Sequence, residues 1–582
     1  METTNLSKIR RDKMLKTLSE IKKNISDEET LNSLSLIENE LTKKKYGLIW
    51  EEHEERVDKE LETKIPTFEE IKDKEIICNP DEKFNFLLEG DNLHSLYLLE
   101  KTHKEKIDII YIDPPYNTGN NDFTYGDETL SKEDEYKHSK WLSFMERRLN
   151  IAKQLLSEKG ILAISIDDHE QSQLKMLCDD IFDELNFISC IPRRTKSSGK
   201  TTNNISLNHD YLLLYEKNHN ASPIIGIKHN DDGYKFEDEF VKTRGKYKLN
   251  QTLDYDSLSY SSSLDYPIEY NNETIYPGGD YEKYIQRKNG NFKRADWAWR
   301  WSKDLFEFGL ENNFIVFKKG KNGKTRIYTK TYLNATIEKN QQNSYIVKTI
   351  NRVKPLSSIE LVSSEYSNDI AKKELTSIFK NSIFDYPKPT SLIKILMKIY
   401  NNKNATILDF FAGSGTTGQA VLELNKEDNG NRQFILCTNN ENKICEEITY
   451  QRLKTIITGL RKDNSKYSDG IKNNLKYYRC TYVPRINTEN ENLHNNLLIN
   501  IKNLIQLENG IEIDDNKIRV YLDEEELDKF STNKEELEVC EKVYISSDIL
   551  LTSEQEEIFE NNNIEVYIIP EYYFEDEIKE VM

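Results

Sequence analysis

The chain has 582 residues, with 81 Lys+Arg against 101 Asp+Glu and a formal net charge of −20. That length exceeds what one hydrophobic core supports and predicts roughly two to four domains; the 33 Tyr and 22 Phe exclude a disordered acidic chain. The seven cysteines are scattered without a CxxC pair and no apolar run reaches membrane-spanning length, so a reduced, cytoplasmic, soluble protein without export signal or zinc site is expected.

In chain order, residues 1–65 carry helical periodicity, Leu15, Leu18 and Ile21, then Leu31, Leu34, Leu36, Ile37 and Leu41. FNFLLEGDNLHSLYLLE reads as a strand, a turn at Gly90–Asp91 and a helix from about Asn92. The next strand, Ile107–Ile112 in IDIIYIDPPYNTG, is apolar on both faces except at Asp108, the pattern of a parallel sheet. Pro114 and Pro115 cannot continue a ladder. The chain must leave in a stiff loop that carries Asp113 and Tyr116 at a carboxyl strand end, where open α/β sheets bind ligands. The helix HSKWLSFMERRLNIAKQLLSEKG, the strand GILAISIDD, a helix over Leu174–Phe182 and the strand HDYLLLYEKN (His209–Asn218) follow. This alternation predicts a doubly wound, mostly parallel sheet.

From about 219 to 380 the alternation lapses into Gly-, Asn- and Tyr-rich stretches with the basic cluster KKGKNGKTR (Lys318–Arg326). Trp297, Trp299 and Trp301 in RADWAWRWSKD alternate as in a strand and read as core more than as a stacking platform for a ligand. The βα pattern resumes at PKPTSLIKILMKIY and continues through NATILDFFAGSGTTGQAVLELN and RQFILCTNNENKICEEITYQRL. Beyond about 485 lies a small acidic α/β module ending IEVYIIPEYYFEDEIKEVM. Charge separates these regions: residues 191–380 hold 31 Lys+Arg against 23 Asp+Glu, and 511–582 hold 6 against 23. The middle segment suits a phosphate-bearing partner, and the tail suits protein contacts.

In LDFFAGSGTTGQA, Gly413 and Gly415 make a tight turn between a strand ending at Asp409 and a helix from about Thr416. Such a turn brings backbone N–H groups close to a ligand, and the helix start favours an anion. Gly413 and Gly418 have the spacing of a nucleotide phosphate loop, but Gln419 stands where its lysine must be. A ligand with its own positive charge fits better, and S-adenosylmethionine qualifies: its ammonium would meet Asp409 and its carboxylate the helix N-terminus.

DPPY (Asp113–Tyr116) followed by FFAGSG (Phe410–Gly415) resembles the paired signature of β-class amino-group DNA methyltransferases. KYGLIWEEH, EGDNLHSLYLL, DPPYNTGN, WLSFM, ISIDDHEQ, HDYLLLYEKN, PKPTSLI and CTNNEN extend the resemblance to the modification subunit of type III restriction–modification systems, over most of the chain. The resemblance implies a Rossmann-like methyltransferase sheet in two parts, 66–190 with the catalytic motif and 386–485 with the cofactor motif. Between them it implies an inserted target-recognition domain over 191–385, with strand 209–218 in the core sheet. An N-terminal helical segment (1–65) and an acidic C-terminal α/β module (486–582), for dimer or partner contact, complete the plan.

On this reading Asp113, Pro114, Pro115 and Tyr116 are catalytic. Asp113 and the Pro114 carbonyl would accept both hydrogens of the target amine, and Tyr116 would stack on a base flipped out of double-stranded DNA. The resemblance favours adenine N6 over cytosine N4. Asp409, Phe411, Ala412, Gly413, Gly415 and Thr416 would hold S-adenosylmethionine, Lys388 would lie at its methionine end, and no metal is required. Asp91 would contact its adenine or simply cap a helix. Glu441 or an Asn would serve the ribose where the strand ends in Cys437-Thr438-Asn439-Asn440. The implied partners are DNA, a second copy of the chain and a helicase–nuclease restriction subunit, with no membrane. The competing readings are a solitary or type II methyltransferase and a catalytically idle DNA-binding scaffold.

Overall fold

The structure, a computed structural model, describes residues 6–569 except 24, 26, 43–49, 51–54, 81, 126–127, 132–136, 197–203, 229–232, 321–322, 351 and 485–489. The expected motif KYGLIWEEH, apart from Trp50, and the terminal EYYF stretch lie outside the described residues. Two compact units divide the chain: residues Met1–Pro223 with Ser358–Met582, and Ile224–Ser357.

The larger unit is built on nine strands: β1 (Lys64–Glu70), β2 (Phe84–Glu89), β3 (Ile107–Ile112), β4 (Leu156–Ile166), β5 (Phe187–Arg194), β6 (His209–Glu216), β7 (Thr406–Asp409), β8 (Gln433–Thr438) and β9 (Asn474–Pro484). Their order is β1-β9-β2-β8-β7-β3-β4-β6-β5. Only β1 and β6 oppose the other strands. The sheet is thus α/β and mostly parallel, and the late strands β7 and β8 sit between the early strands β2 and β3.

Both faces are covered, which explains why β7 reads as an unbroken apolar run: Ile407 and Leu408 point to opposite faces and both are buried. One face packs α1 (Asn92–His103), α2 (Lys137–Leu155) and α3 (Gln171–Phe182) through Leu96, Trp141, Leu149 and Leu177. On the other, α4 (Thr390–Tyr400), α5 (Thr416–Asp428) and α6 (Tyr450–Thr458) pack together. A Cβ at Gly418 of α5 would lie 3.1 Å from Leu436 and 2.6 Å from Leu453, so this glycine lets α5 sit close on β8. The fold class is the doubly wound sheet the sequence predicts.

The C-terminal segment is part of this core. Helix Asn490–Asn509 contributes Ile501, Leu504, Ile505 and Leu507 to the main cluster, and Gln506 donates to the Tyr478 hydroxyl of β9 at 2.9 Å. Behind it, strands Ile518–Tyr521, Lys542–Ile545 and Glu565–Ile568 form a parallel three-stranded sheet whose Val520 and Tyr544 join the same cluster.

The second unit, Ile224–Ser357, is all short strands and brief helices around its own core of Leu253, Tyr266, Trp299, Phe306, Ile315 and Ile327. It is narrower than the expected 191–385 span. The reason is hydrogen bonding: besides β6, which the expected plan already gave to the core sheet, β5 pairs in the main sheet, and Arg193 of β5 donates to the Tyr366 carbonyl at 2.7 Å. Trp299 is core, as expected, whereas Trp297 is 37% exposed.

Candidate active site

The carboxyl ends of four neighbouring strands, β2, β8, β7 and β3, gather the residues singled out in the sequence. Asp113 follows β3, Asp409 ends β7, Thr438 ends β8 and Asp91 follows β2. Asp113 and Asp409 lie 296 positions apart in the chain, yet β3 and β7 are paired through Ile109 and Ile407.

The Asp113 loop is held from several sides. The Tyr116 hydroxyl donates to Asp113 Oδ1 at 2.9 Å and reaches Asp210 Oδ2 at 3.4 Å. Lys388 Nζ lies 2.6 Å from Asp113 Oδ1 and 2.5 Å from Oδ2. Trp141 Nε1 donates to the Pro115 carbonyl at 2.7 Å, which ties the loop to α2. Asn117, left-handed at φ 56°, turns the chain after Tyr116, and its amide donates to Glu170 Oε1 at 2.6 Å. Desolvation, then the Asp113 and Asp210 carboxylates, push the Tyr116 phenol well above its ordinary range, so it stays a donor.

The glycine turn is as tight as the sequence implies. Gly413 and Gly415 have φ of 47° and 77°, and Gly415 is the N-cap of α5. A side chain at Gly413 would meet nothing nearer than Phe384 at 3.6 Å, whereas one at Gly415 would press on Thr449 at 3.1 Å. Asp409 is buried, accepting from Phe411 N at 3.1 Å and from Thr417 Oγ1 at 2.5 Å. Burial raises its carboxyl to about 7 against those two hydrogen bonds, and Asp113 adds to the rise. Behind the turn, the buried Arg452 guanidinium donates to Thr416 Oγ1 at 2.8 Å, Ser414 Oγ at 3.0 Å and Gln419 Oε1 at 2.7 Å.

The family model described as DNA methylase matches residues 107–451, from the first residue of β3 into α6. The chain belongs to the DNA methylase family.

The methylase is 29% identical over 429 residues to the type III restriction–modification enzyme StyLTI Mod subunit of Salmonella typhimurium, covering 68% of this chain and 60% of that one. The EcoPI Mod subunit of Escherichia phage P1 is 30% identical over 402 residues, covering 61% and 58%. The type II methyltransferase M.KpnI of Klebsiella pneumoniae is 33% identical over 377 residues, covering 62% and 82%. The methylase thus spans about three fifths of the length of these Mod subunits.

Two expected residues sit apart from the cluster's hydrogen bonds. Asp91 caps α1, accepting from Leu93 N at 2.7 Å. Glu441 is exposed in the turn after β8, while the buried acid nearby is Glu89, bound by Tyr477 Oη at 2.5 Å, Arg479 at 3.1 Å and Asn440 at 3.1 Å. Sequence reasoning also missed the pair beneath Tyr116: Arg193 Nε donates to Asp210 Oδ1 at 2.8 Å, and both are buried. Asp210 is the acid in the otherwise apolar HDYLLLY, and Glu170 the last acid of IDDHE. Each was a visible signal, since a charge in a buried run needs a partner.

Proposed function

We propose that this DNA methylase transfers a methyl group from S-adenosylmethionine to the N6 amine of an adenine flipped out of double-stranded DNA. We propose further that it is the modification and recognition subunit of a type III restriction–modification system. The observation that carries the reading is the meeting, on paired strands, of the Asp113–Tyr116 loop with the Gly413–Gly415 turn and Asp409.

The residues present fit the cofactor. Asp409 is a carboxyl held near neutrality by burial, so a cationic ligand is what would restore its charge. The open side of Gly413 and the start of α5 suit an amino-acid carboxylate. Phe411, Ala412, Gly415 and Thr416 would complete that end, with Lys388 beside it and Asp91 and Glu441 toward the nucleoside. When bound, the cofactor supplies an electrophilic methyl group on a sulfonium. An exocyclic amine is a poor nucleophile because its lone pair is shared with the ring. Asp113 and the Pro114 carbonyl, accepting one hydrogen each, would turn that lone pair out of conjugation and toward the methyl group. Tyr116, fixed by its hydroxyl, would present its ring face to the base.

Incubating the purified chain with labelled S-adenosylmethionine and unmethylated plasmid, then analysing nucleosides by mass spectrometry, tests this. N6-methyladenine is expected, and Asp113→Ala should lower the rate by about two decades or more while the protein stays folded. Methylation by Asp113→Ala at the wild-type rate would sink the assignment.

The type III assignment draws on the two Mod subunits; a type II enzyme acting without a partner is favoured by the 82% coverage of M.KpnI. Light scattering, alone and with a neighbouring helicase–nuclease, separates them: a dimer that binds the second subunit is expected for type III.

A further inference from the structure

Lys388 covers the place where the target amine would have to bind. Its ammonium contacts both oxygens of Asp113, at 2.6 and 2.5 Å, and Tyr116 takes a further position on Oδ1 at 2.9 Å. A carboxylate offers about four lone-pair positions, so three are filled before any base arrives. The same ammonium stands 5.0 Å from the centre of the Tyr116 ring, so one cation occupies both the acceptor and the stacking face.

The lysine backbone cannot move aside. Its carbonyl accepts from Thr416 Oγ1 at 3.1 Å, and Pro389 follows as the N-cap of α4. One residue on, Thr390 N and Oγ1 each bind Glu374 at 3.0 Å. Only the four-carbon stem is left to swing.

We propose that the Lys388 ammonium is a displaceable stand-in for the target amine, seated on Asp113 in the base-free protein and withdrawing when the base's amino group takes its place. The proposal rests on the methyltransferase reading and adds a positioning residue to it. Asp113 and Asp409 act on each other electrostatically, and Lys388 is the cation acting on both. With its ammonium, a bound cofactor would bring positive charge of its own to this pair and weaken the lysine's hold, and the base's amine would then complete the displacement. Until then Lys388 keeps Asp113 paired, oriented and closed to stray donors.

A base analogue lacking the amine tests this. The probe is a duplex carrying a sequence the wild type methylates in plasmid DNA, with adenine or 2′-deoxynebularine, which has no 6-amino group, at the target. Binding is measured with S-adenosylhomocysteine present, for wild type, Lys388→Met and Lys388→Arg. The pairing difference between the two duplexes is common to all proteins and cancels in the ratio of affinities.

In wild type the amine must displace an ammonium, so it adds little. In Lys388→Met it meets an unoccupied carboxylate, and the adenine preference should rise about tenfold or more, the size of a charge-assisted hydrogen bond. Lys388→Arg, which keeps a cation on Asp113, should hold the wild-type ratio. An unchanged or reduced preference in Lys388→Met overturns the inference while leaving the methyltransferase reading intact. A wild type that methylates no plasmid overturns that reading, and the inference with it.

Discussion

Asp409 shows what burial does to one side chain. Its carboxyl is raised to about 7, so near neutrality about half the molecules carry it protonated. A ligand ammonium binds the ionised form, so affinity should rise with pH. Between pH 5 and pH 6, where the ligand's own α-ammonium stays protonated, the dissociation constant for S-adenosylmethionine, followed by calorimetry, is expected to fall roughly tenfold. Asp409→Asn should bind weakly and without that slope; an equal slope in the variant would place the titrating group elsewhere. Stability has the opposite sign. The folded value lies above the unfolded one, so between about pH 4 and 7 the unfolded chain releases a proton that the folded chain keeps. The ligand-free protein should lose stability as pH rises through that window. Glu170, raised to about 8 chiefly by burial, acts in the same direction over a wider range.

At the scale of elements, the turn before α5 depends on glycine at one position more than the other. Gly415 is left-handed at φ 77° and a Cβ would press on Thr449, itself tied to the Gly413 carbonyl at 2.6 Å. Gly415→Ala should cost about 1–2 kcal/mol from the backbone alone and displace the start of α5. Urea unfolding and cofactor titration should both register the change. Gly413→Ala has similar backbone strain but room for the methyl group, so its contact penalty should be smaller.

This level was the most legible in the sequence. The alternation of apolar strands and amphipathic helices, and the Pro-Pro and Gly-x-Gly breaks after strands, followed from periodicity and turn chemistry. The clamps were not legible. Arg193 with Asp210, Arg452 with Ser414 and Thr416, and Glu170 with Asn117 join residues 17 to 53 positions apart. No local pattern says which buried charge meets which partner.

For the whole molecule, the boundaries of the inserted unit decide which deletion is informative. Removing 195–380 would take β6 out of the sheet and strip Asp210 from beneath Tyr116. Removing Ile224–Ser357 takes only the second unit, which holds 23 Lys+Arg against 17 Asp+Glu. That variant should keep S-adenosylmethionine binding and lose sequence preference for DNA, and binding by the intact chain should weaken steeply with salt. Sequence preference that survives the deletion would rule the unit out as the reader. Ending the chain at 485 is a poor test of dimerisation, because it removes Leu504 and Ile505 from the main core. The acidic tail reads from its charge as a dimer or partner contact, with packing on its own domain as the alternative; Ile501, Leu504, Ile505 and Leu507 join helix Asn490–Asn509 to the main core.

The strand order also dictates a sequence of events during synthesis. β2 and β3 are consecutive in the chain but three places apart in the sheet, a gap of about 14 Å at ordinary strand spacing. The two strands that fill it emerge from the ribosome some three hundred residues later. Until then the growing chain carries two apolar strand edges facing an empty slot, a condition that invites mispairing and slows folding. A circular permutant that begins near residue 386 would place β7 and β8 first and let the slot close as β2 and β3 appear. It should refold faster and aggregate less than the natural order, with the same active site.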